Sequence, residues 1–114
     1  MIKPESMWKE VNAKDVESGE LLSIMSKYSQ LSMTLYVGCD SMLYSNYCTF
    51  SCIVAVHSND LGIANYYFQK QKIADNKFNN LENKILKEIE IAISTASFLR
   101  DNIPSANIEV HIDI

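Results

Sequence analysis

The chain has 114 residues, which is the size of one small domain or of part of one. Its net charge of −4 argues against a broadly basic surface for binding duplex nucleic acid, although five lysines lie between residues 69 and 87. No apolar run approaches the ~18 residues of a membrane span, and the amino terminus lacks a signal-peptide pattern. We therefore expect a cytoplasmic protein that does not contact membranes.

The amino-terminal third predicts one helix after an irregular segment. Residues 1–14 are polar, contain Trp8 and show no clear period, so we expect no regular structure there. Residues 15–29 place apolar side chains at roughly helical spacing, with Asp15 or Ser18 as the N-cap. This segment predicts a short amphipathic helix.

The middle of the chain predicts three strands. Residues 33–39 are rich in β-forming side chains and are followed by Asp40 and Ser41, which predict a turn. Residues 47–57 and 63–73 predict two longer strands, and the short cluster of turn residues between them makes this pair a hairpin.

The last third predicts a long helix and a final strand. Residues 76–101 change to helical spacing, and Asn102–Ser105 ends that pattern. Residues 107–114 alternate between apolar and polar side chains, which predicts a strand. The predicted apolar stripe of the helix consists of Phe78, Leu81, Ile85, Ile89, Ala92, Ala96 and Leu99.

These elements predict an α/β fold with a mixed sheet. Three antiparallel strands form a meander, and the helix crosses back to a fourth strand that lies parallel to the first. Three segments resemble one known family, namely Leu35–Ser41 with its hydrophobic run ending Gly-Cys-Asp-Ser, residues 67–73, and residues 108–113 ending His-Ile-Asp. Over residues 15–114 the chain resembles the uncharacterised YkuK-type family of ribonuclease-H-like proteins.

The resemblance implies a nuclease that hydrolyses phosphodiesters with divalent Mg²⁺ or Mn²⁺. It makes Asp40 and Asp113 metal ligands with catalytic roles at the ends of the first and fourth strands, within about 8 Å of each other. The family takes a third carboxylate from the intervening helix. We expect this catalytic ligand to be Glu82, which falls inside the predicted apolar stripe, with Glu88 as the second choice.

Each candidate acid also has a simpler interpretation. Asp40 could be an ordinary turn residue, and Glu82 could reach solvent from the border of the stripe. Asp113 shares a face with Glu109 and His111, which could be the solvent-exposed face of an edge strand. Several tyrosines could stack on bases, or simply pack in the strands: Tyr36, Tyr44, Tyr47, Tyr66 and Tyr67.

The cysteines do not indicate a cofactor site. Cys39, Cys48 and Cys52 are odd in number and lack zinc-ligand spacing, so we expect free buried thiols. Cys39 stands where the family usually has Thr, which weakens the hydrogen-bond support of Asp40.

The sequence stops within the fourth predicted strand, whereas a full ribonuclease-H-like domain continues to a fifth strand and a further helix. We therefore expect a single partial domain, incomplete at the C-terminus, whose metal site could be inactive. The alternative function is a non-catalytic module for nucleic-acid or protein binding and assembly. The open strand edge also predicts a homodimer through residues 107–114 and the segment that contains Trp8.

Overall fold

Six strands and two α-helices make up residues 3–112, which is the part of the chain that the computed structural model describes. In chain order they are β1 (Trp8–Glu10), β2 (Asp15–Val16), α1 (Ser18–Gln30), β3 (Leu35–Leu43), β4 (Cys48–Ser58), β5 (Ile63–Ile73), a 3₁₀ turn (Asn76–Asn79), α2 (Leu81–Asn102) and β6 (Ile108–His111).

The described strands form one mixed sheet in the order β2-β1-β5-β4-β3-β6. β3, β4 and β5 are an antiparallel meander, and α2 returns the chain so that β6 lies parallel to β3. The parallel pairing runs from Leu35 opposite Ile108 to Gly38 opposite His111. This arrangement confirms the predicted mixed α/β sheet.

The prediction that residues 1–14 are irregular is wrong. β1 pairs with β5 and with β2, so it extends the sheet beyond the meander. Trp8 is fully buried, and its indole N–H donates to the Pro4 carbonyl at 2.8 Å. A strand of three residues is too short to show a period, and its pairing with β5 gives it order.

The predicted turn at Asp40 and Ser41 is also wrong. β3 continues through both residues to Leu43, and Asp40 pairs with Ser51 of β4. The connection to β4 comes later, where the Tyr44 N–H donates to the Tyr47 carbonyl at 2.8 Å. The long partner strand supplies a complete ladder, which outweighs the local turn preference of Asp and Ser.

Both helices cover the same face of the sheet. Successive strand residues point to opposite faces, and the buried residues of β3 and β4 alternate strictly along each strand. The other face is not covered by any element within residues 3–112. One hydrophobic core joins the helix side chains of Leu21, Met25, Ile91, Ala92 and Leu99 to the strand side chains of Leu35, Val37, Cys39, Phe50, Cys52, Val54 and Val56.

α2 is rotated relative to its predicted apolar stripe. Residues 76–101 are not one helix, because Asn80 follows the 3₁₀ turn with an extended backbone and caps α2 by accepting the Asn83 N–H at 3.2 Å. Leu81, a predicted stripe residue, is 65% exposed. The break removes Phe78 from the helix, and packing turns a different side of α2 toward the sheet. The buried residues of α2 are Glu88, Ile91, Ala92, Thr95 and Leu99.

Candidate functional site

Asp40 lies at the rim of the sheet where the described pairing of β3 with β6 ends. Its side chain is exposed, and its Oδ1 accepts the Ser41 N–H at 2.9 Å. Asp40 comes two residues after Gly38, and Asp113 comes two residues after His111, the last described pair of these strands. Asp113 is outside the described residues, so its predicted distance from Asp40 stays a prediction.

The helix carboxylate that faces the sheet is Glu88. Glu82 is exposed in the first turn of α2, so the interpretation that it points into the core is wrong. Glu88 is only 7% exposed; burial is the main cause of the raised pKa of Cys39 and of Cys48, and the negative charge of Glu88 adds to it. The sequence ranks Glu88 second, and the packing of α2 turns its side of the helix toward the sheet.

Cys39 links the two described carboxylates. Burial raises the pKa of its thiol far above the usual range, and the charges of Cys52, Glu88 and Asp40 raise it further. Asp40 is the neighbour of Cys39 in β3 and points to the opposite face of the sheet, whereas Glu88 comes from α2 on the covered face. Because the thiol stays protonated at neutral pH, Cys39 is a poor nucleophile and a poor metal ligand.

Cys48 is the buried first residue of β4. The pKa of its thiol is raised, mainly by burial and also by the charge of Glu88. The charge of Lys84 and the neighbouring Ser41 hydroxyl lower the pKa in part. The Ser41 Oγ is buried next to that thiol but makes no well-formed hydrogen bond within the described part of the chain. The rim therefore holds a buried hydroxyl that an added ligand could satisfy.

The donors at this rim fit a hard divalent cation. Carboxylate oxygens are the ligands that Mg²⁺ and Mn²⁺ prefer, and Asp40 and Glu88 supply them from a strand and from a helix. Among residues 3–112, no three side chains of His, Cys, Asp or Glu are grouped closely enough to hold a metal ion. Within residues 3–112, Asp40 lies on the uncovered face of the sheet and Glu88 on the helix-covered face, so the described residues do not bring these two carboxylates together.

Asp40 also borders a groove on the uncovered face of the sheet. The groove has a volume of about 460 Å³ and crosses β3, β4 and β5. Ser51, Tyr66, Phe68 and Lys70 line it together with Asp40. The candidate carboxylate therefore borders an open groove on the uncovered face.

Comparison with known proteins gives one match. Residues 18–114 match the family model described as Ribonuclease H-like, a range that includes each of the candidate acids. No curated protein and no solved structure matches the chain. Within residues 3–112, no helix is long and apolar enough to cross a membrane.

Proposed function

Because the chain belongs to the ribonuclease H-like family, we propose that it is a divalent-metal-dependent nuclease that hydrolyses phosphodiesters. What supports this proposal is the exposed carboxylate of Asp40 near the carboxyl end of β3, where the described pairing with the parallel strand β6 ends. Within the family we assign the chain to the YkuK-type group, on the segments around Asp40 and residues 108–113.

The proposed ligands are Asp40, Glu88 and Asp113. Glu88 replaces Glu82 in this set, because Glu88 is the carboxylate of α2 that faces the sheet. The carboxyl-terminal ends of neighbouring parallel strands meet at one rim, which supports the inclusion of Asp113 after β6. When bound, Mg²⁺ or Mn²⁺ would polarise a phosphoryl oxygen and lower the pKa of a bound water.

Three described residues set the environment of the proposed ligands. The Ser41 N–H holds the orientation of the Asp40 carboxylate, and the low exposure of Glu88 limits competition from water. The protonated Cys39 thiol adds no negative charge beside the two acids. A phosphate group in the groove would approach Asp40 from the uncovered face of the sheet.

A non-catalytic binding module is the second candidate function. It is favoured by the lack of a three-residue metal cluster within residues 3–112. A site with few carboxylates binds an ion weakly, and the same fold could then serve only to hold a nucleic acid or a protein.

Mn²⁺ titration by isothermal calorimetry tests the metal site. We expect Asp40→Asn to weaken Mn²⁺ binding at least roughly tenfold, because it removes a charged ligand. The matched control is Asp60→Asn, since Asp60 is an exposed aspartate in the turn between β4 and β5. Equal Mn²⁺ affinity in the wild type and Asp40→Asn would refute the site.

A cleavage assay then separates the two candidate functions. Fluorescently labelled single-stranded RNA and DNA are incubated with Mn²⁺ and the wild-type chain or Asp40→Asn. Cleavage that depends on Asp40 supports the nuclease. Mn²⁺ binding without any cleavage supports the binding module instead.

A further inference from the structure

The uncovered face of the sheet combines aromatic rings with lysines. On β5, Tyr66 and Phe68 are followed at alternate positions by Lys70 and Lys72, so all four side chains lie on this face. Tyr66 is 41% exposed, and its ring centroid lies 6.3 Å from that of Phe68. Tyr36 of β3 belongs to the same cross-strand row as Tyr66, because both residues pair with Ala55 of β4.

The two lysines are held by rings instead of by acids. The Lys70 Nζ lies 5.6 Å from the Phe68 ring centroid, and the Lys72 Nζ lies 4.0 Å from the Tyr47 ring centroid. Among the described residues neither lysine forms an ion pair, unlike Lys9, which contacts Asp15 at 2.7 Å. Their ammonium groups can therefore bind phosphates without first breaking a salt bridge.

The register places this surface beside Asp40. Ser51 pairs with Asp40 on one side and with Lys70 on the other, so the three residues form one row across β3, β4 and β5. Two interstrand spacings separate Asp40 from Lys70, which is about 10 Å and corresponds to roughly three stacked nucleotides. A strand bound at Lys70 would therefore reach Asp40 within a few nucleotides.

We propose that this face binds single-stranded nucleic acid, with bases stacked on Tyr66 and Phe68 and backbone phosphates on Lys70 and Lys72. The binding does not need the metal site, whereas delivery of the strand to Asp40 rests on the proposed nuclease function. The arrangement of flat rings beside a few cations is typical of surfaces that hold unpaired bases.

Other partners fit this face less well. A duplex hides the flat faces of its bases and is held by many basic contacts, which a chain with a net charge of −4 does not offer. A docked helix or sheet from a protein would need a continuous apolar surface. Here Ser51, Thr49 and Lys70 interrupt the apolar side chains that line the groove.

Fluorescence anisotropy tests the proposal with a labelled oligo(dT) of about 12 nucleotides, a length within the range of known single-strand sites. EDTA is present throughout, so binding is measured without divalent ions. We expect the single strand to bind more tightly than a hairpin duplex of the same charge. Phe68→Leu and Tyr66→Ala should each weaken single-strand binding by roughly fivefold or more, because each removes a stacking surface.

The salt dependence gives a second readout. Lys70→Gln should reduce the slope of log affinity against log salt by about 0.7, because one phosphate contact is lost. The matched control is Lys27→Gln, which changes an exposed lysine of α1 on the helix-covered side. Circular dichroism of each variant checks that the fold is kept.

Three results would overturn the proposal. These are duplex binding as tight as single-strand binding, unchanged single-strand affinity in all three face variants, and a concentration-dependent doubling of mass that Tyr66→Ala abolishes. The last result would assign the face to a second copy of the chain. Because the assay contains EDTA, it does not test the Mn²⁺ site, so a negative result would refute only this binding face. Conversely, a failure to bind Mn²⁺ would refute only the metal site.

Discussion

The Thr95 hydroxyl oxygen lies 3.2 Å from the Cys52 sulfur, and both side chains are fully buried between α2 and β4. Burial raises the pKa of the Cys52 thiol to about 11, while the contact with Thr95 acts in the opposite direction. The pair thus joins the central turn of α2 to the middle of the sheet through a polar contact inside an apolar core.

We expect Thr95→Val to lower the free energy of unfolding by about 0.5–1.5 kcal/mol, because it removes one buried hydrogen bond and keeps the side-chain shape. Thr95→Ala should cost more, since it also leaves a small cavity. Urea unfolding followed by circular dichroism measures both changes. In a double-mutant cycle with Cys52→Ala, the coupling should be about 0.5–1 kcal/mol, and a coupling near zero would contradict the contact.

The buried thiols should make the fold less stable in alkali. In the unfolded chain a cysteine titrates near its usual value of 9.0, whereas Cys52 titrates at about 11 in the folded protein. Between these values the unfolded state has lost a proton that the folded state keeps. The stabilisation is therefore complete below pH 9 and falls as the pH rises towards 11, by at most about 1.4 kcal/mol per pH unit for each thiol.

The matched control for this pH effect is Cys52→Ala. Burial also raises the pKa of Cys39. The variant should therefore keep the part of the pH dependence of stability that comes from Cys39 and lose the part that comes from Cys52. Ionisation of lysines and tyrosines affects both proteins alike. If urea titrations of the two proteins showed the same slope between about pH 8 and pH 10.5, the assignment to Cys52 would be wrong.

The two glutamates of α2 should differ in their effect on metal binding. We expect Glu88→Gln to weaken Mn²⁺ binding at least roughly tenfold, because Glu88 is the buried carboxylate of α2 that we propose as a ligand. Glu82→Gln should leave the affinity unchanged, because Glu82 is exposed in the first turn of α2. Calorimetric titration of both variants decides between them, and the reverse result would restore Glu82 as the ligand.

We also propose a homodimer formed through β6. This strand is last in the described sheet order, and nearby apolar side chains are exposed, with Val110 at 38% and Ile93 of α2 at 52%. An unpaired strand edge beside an apolar surface favours strand addition. The Trp8 side chain is fully buried within its own chain, so the proposed contact does not use it.

Light scattering after size exclusion should give twice the chain mass of 13.0 kDa. Val110→Lys should shift the mass to that of the monomer, because it places a charge at the contact. Leu61→Lys is the control, since Leu61 is an exposed apolar residue in the distant turn between β4 and β5. A mass near 13.0 kDa that does not change with protein concentration would exclude the dimer.

Local patterns in the sequence were sufficient for the main elements. The β-rich run at residues 47–57 predicted β4, and the helical spacing of residues 15–29 predicted α1, each to within a few residues of the observed bounds. Both patterns reflect which side chains one element buries, and that information lies within a few neighbouring residues. The sequence also predicted that Asp40 lies close to the end of β3, although the strand continues to Leu43.

Contacts between distant segments decided the rest. β1 forms a strand because it pairs with β5, and Asp40 lies in a strand because β4 continues opposite it. The choice between Glu82 and Glu88 depended on which side of α2 packs on the sheet, since Glu82 is exposed and Glu88 is buried there. The sequence by itself therefore determined the element types, whereas only tertiary packing decided which acid faces the sheet, because burial depends on the neighbours that folding brings together.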